Sequence, residues 1–129
     1  MPVVTYIAVT PTEYFPYFGV EGINYSSIFD NQIARIALEE KLPLVVLCIG
    51  ASDEDKTGLE RSISFLEEIR SGNNKETPLI LLGDHPSNYP FRDSTIETVC
   101  DRLNTIYINR EETSPDQFKG FVLSQLRKL

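Results

Sequence analysis

The chain has 129 residues, of which 41% are hydrophobic and 24% charged, and it carries a formal net charge of −7 at pH 7. This length and composition predict one globular domain with its own core and disfavour a disordered chain. The acidic balance disfavours direct nucleic-acid binding and attraction to an anionic membrane surface, because the phosphate groups of both would repel the domain.

The cysteines and the apolar runs indicate the compartment. Cys48 lies in an apolar run and Cys100 in a helical pattern, and this pair does not suggest a disulfide framework. The first residues lack the features of a signal peptide, and the longest apolar runs, 44–49 and 79–82, are too short to span a bilayer. We therefore expect a cytoplasmic domain.

The first third of the chain predicts two strands, an irregular segment and a helix. Residues 3–9 are rich in β-branched side chains and predict a buried strand. Residues 10–22 contain two prolines and two glycines and predict an irregular or shortened first helix. A more polar strand is expected over 23–28, followed by a helix to about Lys41. The expected buried stripe of that helix is Ile33, Ile36, Ala37 and Leu38.

The middle of the chain continues the alternation. Residues 44–49 predict the clearest strand, apolar on both faces as in the centre of a parallel sheet. After an acidic loop, residues 59–70 predict an amphipathic helix, and residues 79–83 predict the next buried strand. A proline-containing loop over 84–92 then leads to a helix that begins at Asp93 or Ser94.

The last elements complete an α/β pattern. Residues 106–108 predict a short strand, and Ser114, Pro115 and Gln117 form the start signal of a final helix. Strands that alternate with helices predict a doubly wound parallel sheet, here of five strands in the order 2-1-3-4-5. Ligands of such sheets bind where the strands end. The expected rim is Thr10, Cys48 to Gly50, Gly83 to His85, Asn109 and Arg110.

Several stretches resemble the receiver domains of bacterial response regulators, the CheY-like family. They are residues 42–49, 65–70, 76–82, 107–110 and 114–118. In turn they are similar to the third strand, third helix, fourth strand, fifth strand and last helix of a receiver. The resemblance implies a CheY/flavodoxin-like fold and a role in two-component signal transduction.

The chain departs from that family at the residues of aspartyl phosphorylation. The carboxylate pair that holds a metal after the first strand of a receiver is replaced here by Thr10 and its neighbours. Cys48 stands at the place of the acceptor aspartate that ends the third strand of a receiver, and Gly83 at that of the Ser or Thr that ends the fourth strand. Arg110, or Asn109 if the register slips by one, takes the place of the lysine. Phosphoryl transfer needs a cation held by oxygen ligands, so we expect a pseudo-receiver that is not an enzyme and binds no metal or cofactor.

The resemblance also implies partners. Residues 79–84 and the rest of the chain look like the degenerate receivers found at the N-terminus of ATPase-containing transcription activators of flagellar or biofilm genes. The implied partner is a fused effector domain or a separate protein, in transcription regulation. Receivers usually form homodimers through the fourth helix, fifth strand and last helix. That face would carry Arg102, Tyr107, Asn109 and residues near Lys119 here, and a weak homodimer is expected.

Other functions have weaker support in the sequence. The alternative is a small flavodoxin-like enzyme or cofactor-binding protein, but residues 10–13 hold no glycine to wrap a phosphate. His85 lacks the partners of a metal site, and the acidic residues 53–55 do not fit an EF-hand spacing. Both are better interpreted as loop residues.

An aromatic cluster lies between the prolines and glycines of residues 10–22. Two interpretations are open: the rings pack on the sheet in place of the first helix, or they are exposed anchors for a partner. We expect Phe15 or Phe18 to be buried and Tyr14 and Tyr17 to be available to a partner.

Overall fold

The computed structural model describes residues 4–8, 25–28, 31–48 and 57–128. The strands in these ranges are β1 (Val4–Ala8), β2 (Tyr25–Ile28), β3 (Leu44–Cys48), β4 (Leu79–Gly83), β5 (Pro90–Phe91), β6 (Ser94–Thr95) and β7 (Ile106–Asn109). The helices are α1 (Asn31–Ala37), α2 (Thr57–Ser71), α3 (Ile96–Arg102) and α4 (Pro115–Arg127). The predicted irregular segment 10–22, with Thr10, Tyr14 and Tyr17, lies outside the described residues.

Five strands form one parallel sheet in the order β2-β1-β3-β4-β7. The central strand β3 pairs with β1 on one side and with β4 on the other, and all its residues are buried. A strand covered on both faces exposes no side to water, which explains the unbroken apolar runs of β3 and β4. The predicted α/β class with a parallel sheet is confirmed.

Each face of the sheet has its own apolar cluster, because successive side chains of a strand point to opposite faces. On one face α1, α2 and α3 cover Ile7, Val45, Leu47 and Leu81. On the other face Phe118 and Val122 of α4 pack in a cluster with Val4, Tyr6, Leu44, Val46, Cys48, Ile80, Leu82 and Ile108. The core therefore lies in two layers on either side of the strands.

The predicted buried stripe of α1 is wrong in part. Ile33 and Ile36 are 57% and 64% exposed, whereas Ala34 is fully buried. On the side of α1 that faces α2, Arg35 Nε donates to Glu68 Oε1 at 2.8 Å, beside the ring of Phe65. With Arg35 held on that side, the small Ala34 faces the sheet and the two isoleucines face outward.

The end of α1 also differs from the prediction. The helix ends at Ala37 rather than near Lys41. The Asn74 amide holds the backbone that follows, since its Nδ2 donates to the carbonyl oxygens of Leu38 and Glu40 at 2.9 and 3.1 Å. A side chain from a distant loop thus stops the helix one turn early.

The predicted loop 84–92 is partly ordered as a hairpin. β5 and β6 pair antiparallel, and Phe91 is buried against the core. α3 starts at Ile96, later than predicted, because Thr95 is the N-cap and its hydroxyl accepts a hydrogen bond from Thr98 N.

The predicted start of α4 is confirmed. Ser114 Oγ accepts from Gln117 N at 3.2 Å, and Gln117 Oε1 accepts from Ser114 N at 2.8 Å, a capping box that pairs both backbone donors. On the inner side of α4, Phe118 and Val122 are fully buried, while Leu126 is only partly buried.

Candidate functional site

The strands β3, β4 and β7 end side by side at what we call the carboxyl edge, formed by Cys48, Gly83, Asp84, Asn109 and Arg110. Cys48 lies opposite Leu82, and Gly83 lies opposite Asn109. Arg110 N donates to the carbonyl oxygen of Gly83 at 2.7 Å, so the chain stays tied to β4 one residue beyond β7.

An ion pair joins two residues of this edge. Arg110 Nε donates to Asp84 Oδ1 at 2.7 Å, and the two side chains are 30% and 15% exposed. A partly buried pair of this length keeps most of its attraction, because water screens it only in part. The Arg110 guanidinium already neutralises the Asp84 carboxylate. Asp84 therefore attracts a metal ion less than a free carboxylate would.

Tyr107 connects β7 with the loop after β4. Its hydroxyl donates to the carbonyl oxygen of His85 at 2.6 Å, and burial raises the pKa of the phenol well above its ordinary value. The His85 ring meets the Tyr89 ring edge-on, with 4.4 Å between the ring centres. His85 Nδ1 is buried and has no hydrogen-bond partner among the residues that the structure describes. These contacts hold residues 84–89 against the sheet.

Asn109 is buried and accepts hydrogen bonds from the backbone that follows it. Its Oδ1 accepts from Glu111 N at 2.9 Å, and its carbonyl oxygen accepts from Glu112 N at 3.2 Å. This is an Asx-type turn that directs the chain away from the sheet. The side chain is thus used in the turn and is 9% exposed.

Cys48, at the end of β3, is fully buried within the apolar cluster on the α4 side. Desolvation raises the pKa of its thiol far above the ordinary value. The thiolate is the reactive form, so this environment makes the sulfur a poor nucleophile.

The predicted site residues are only partly brought together. Gly83 and Arg110 are joined by a hydrogen bond, and Cys48 lies at the same edge of the sheet. Of the expected interaction residues, Arg102 is exposed on α3, Tyr107 is half-buried and Asn109 is buried. Thr10, Tyr14, Tyr17 and the acidic residues 53–55 lie outside the described ranges. In the described part of the chain, no three His, Cys, Asp or Glu side chains are grouped so that they could hold a metal ion.

Sequence reasoning missed two features. One is the pairing of Asp84 with Arg110, 26 residues apart, which the register of β4 and β7 produces. The other is the outward face of α4, where Phe121 is 42% exposed beside Gly120. The position of Phe121 in the helical repeat, away from the buried Phe118 and Val122, was the signal from which this exposed face could have been predicted.

A shallow groove lies at the opposite end of the strands from the carboxyl edge. It runs between the end of α1 and the end of α2, and its lining includes Leu38, Ile69, Gly72 and Asn73. It is therefore separate from the carboxyl edge.

Comparison with known proteins identifies no relative. A scan of protein-family models, a search of curated proteins and a search of solved structures each found no match to the chain. None of the described helices is long and apolar enough to cross a bilayer.

Proposed function

We propose that the chain is a receiver-like regulatory domain that is not phosphorylated and that acts in signal transduction or transcription control by binding a protein partner. The partner is a fused effector domain or a separate protein. The sequence resemblance to receivers is the origin of this proposal, and the geometry of the carboxyl edge supports it.

The strand order supports the fold part of the proposal. The order β2-β1-β3-β4-β7 is that of a doubly wound CheY/flavodoxin-like sheet, whose ligands bind at the carboxyl ends of the strands. Three helices on one face and α4 on the other agree with such a sheet. The expected irregular first crossover remains part of the proposal.

The single observation that carries the proposal is the environment at the end of β3. A receiver needs an accessible carboxylate there, but Cys48 offers a thiol with no exposed surface. The nearby Asp84 is bound to Arg110. Phosphoryl transfer depends on a cation that neutralises developing charge, and an arginine-paired carboxylate is a poor ligand for it.

The test is phosphorylation by a small donor. We expect the intact mass to stay unchanged after incubation with acetyl phosphate and Mg²⁺, because no acceptor carboxylate stands at the end of β3. A phosphorylatable receiver treated in parallel is the positive control. A hydroxylamine-sensitive phosphoryl adduct on the native chain would overturn the proposal, and Asp84→Asn would show whether Asp84 carries it.

A further inference from the structure

The outward face of α4 is uncharged over two helical turns. Gln117, Gly120, Phe121 and Ser124 are all exposed there, and positions three and four apart in a helix lie on one side. Phe121 is 42% exposed, although Phe118 and Val122 on the inner side are fully buried. The chain has a net charge of −7, so a helix face without charged side chains differs from the overall composition of the chain.

The two ends of α4 carry opposite charges. Asp116 lies in the first turn and Arg127 in the last. They are separated by about three helical turns at about 3.6 residues per turn, so they lie on the same flank of the helix. Both are exposed, and neither forms an ion pair within the part of the chain that the structure describes.

Packing within the described part of the chain does not require Gly120. A Cβ atom added at this position would meet no atom of the described residues within 4 Å. Glycine in the middle of a helix lowers helix stability relative to alanine, so its presence has a cost that the monomer does not explain. Four residues later comes Ser124, also small, and two small residues at this spacing let a second helix approach closely.

We propose that the outward face of α4 binds the same face of a second copy of this chain, with the two helices antiparallel about a two-fold axis. The inference deepens the proposed function, since it rests on the domain acting by binding and names one partner. A two-fold interface uses one patch twice, which requires the patch to be self-complementary.

The charges of α4 satisfy that requirement. A two-fold axis at right angles to the helices exchanges their ends but keeps each flank on its own side. Asp116 of one copy then lies opposite Arg127 of the other, twice by symmetry. The axis passes close to Phe121, so the two Phe121 rings meet at the centre, where buried aromatic side chains contribute most to binding.

This arrangement overlaps the face expected from the receiver resemblance only on α4, near Lys119. The expected face also uses β7 and Arg102 on α3, and its residues Tyr107 and Asn109 are largely used in internal hydrogen bonds. Variants can therefore separate the two surfaces.

The first experiment measures self-association by sedimentation equilibrium over a range of protein concentrations. We expect a reversible dimer whose dissociation constant rises at least about tenfold in Phe121→Glu, because the substitution places two like charges at the centre of the interface. Arg102→Glu, also an exposed helix position, is the matched control and should leave the constant unchanged. Circular dichroism checks that both variants are folded.

The second experiment exchanges the charges. Asp116→Lys alone and Arg127→Glu alone should each weaken the dimer about fivefold, since each places like charges opposite one another. The double variant should recover the native dissociation constant. If each substitution only disturbed α4, the two losses of dimer affinity would add in the double variant instead of cancelling.

A strictly monomeric native chain, or a dimer weakened by Arg102→Glu and not by Phe121→Glu, would overturn the inference. Neither result depends on whether the domain accepts a phosphoryl group. The mass measurement with acetyl phosphate therefore tests the proposed function independently of the dimer.

Discussion

At the scale of single residues, the two thiols occupy opposite sides of the sheet. Cys48 belongs to the cluster on the α4 side and Cys100 to the cluster on the other side, so they do not pair. Burial raises the pKa of Cys100 to about 12 from an ordinary value of 9.0, with a contribution from the Asp101 charge, and burial raises that of Cys48 as well. Both sulfurs act as small apolar side chains.

These shifts predict a loss of stability in alkali. Below pH 9 both thiols are protonated in the folded and the unfolded chain, and their contribution to stability is complete. Above it the unfolded chain releases protons that the folded chain retains, so the free energy of unfolding falls by about 1.4 kcal/mol per pH unit and thiol. Denaturant unfolding from about pH 8 to about pH 10.5 measures this slope.

The single variants Cys48→Ala and Cys100→Ala isolate the effect from other groups that titrate in the same range, Tyr107 included. Each variant starts less stable because a buried sulfur is removed, but its stability should decline less steeply with pH than that of the native chain. A constant difference between native and variant over the whole range would contradict the burial of that thiol.

At the scale of elements, α4 combines a well-formed start with a weak centre. The capping box of Ser114 and Gln117 fixes its first turn, and Gly120 interrupts its middle. The start was predictable because it depends on residues three apart in the sequence. The buried residues of α4 alone did not predict that Phe121 is exposed on its outer side.

Gly120→Ala should stabilise the monomer by about 0.5–1 kcal/mol, since the added methyl group meets open space and alanine restricts the unfolded chain. Denaturant unfolding at a protein concentration well below dimer formation measures the change. At higher concentration the same variant should associate more weakly if the helices approach closely. A destabilised monomer would show that α4 needs glycine for its own packing.

α1 shows how an element can be predicted and its orientation missed. A helix follows β2 as its pattern indicated, but Ala34 is the residue buried against the sheet, and Ile33 and Ile36 face outward. A helix of 7 residues has a short apolar surface, so contacts with a neighbour decide its rotation.

At the scale of the whole molecule, Arg70 joins three segments at the amino end of the strands. Its Nε and Nη2 donate to the carbonyl oxygens of Leu103 and Asn104 at 2.8 and 2.7 Å. Its Nη1 donates to those of Asn74 and Thr77, at 2.8 and 2.7 Å. The end of α2 is thereby tied to the segments that lead into β4 and β7.

Arg70→Lys should lower the free energy of unfolding by about 2 kcal/mol although the charge is retained, because a lysine cannot direct donors to two segments at once. Carbonyl oxygens left without a donor in partly buried positions account for the loss. Thermal and denaturant unfolding measure it. Arg61→Lys, an exposed position on the same helix, is the control and should change stability little. Equal effects of the two substitutions would show that the carbonyl contacts of Arg70 contribute nothing.

The sequence by itself determined the alternation of strands and helices, the burial of β3 and β4, and the start of α4. These features depend on periodicity and hydrogen bonding within a few residues. Only the tertiary structure decided the exposed side of α1, the pairing of Asp84 with Arg110 and the contacts of Arg70 with residues 33 and 34 positions away. Such contacts follow from strand register and helix rotation, which are set by the packing of the whole core and leave no local pattern in the chain.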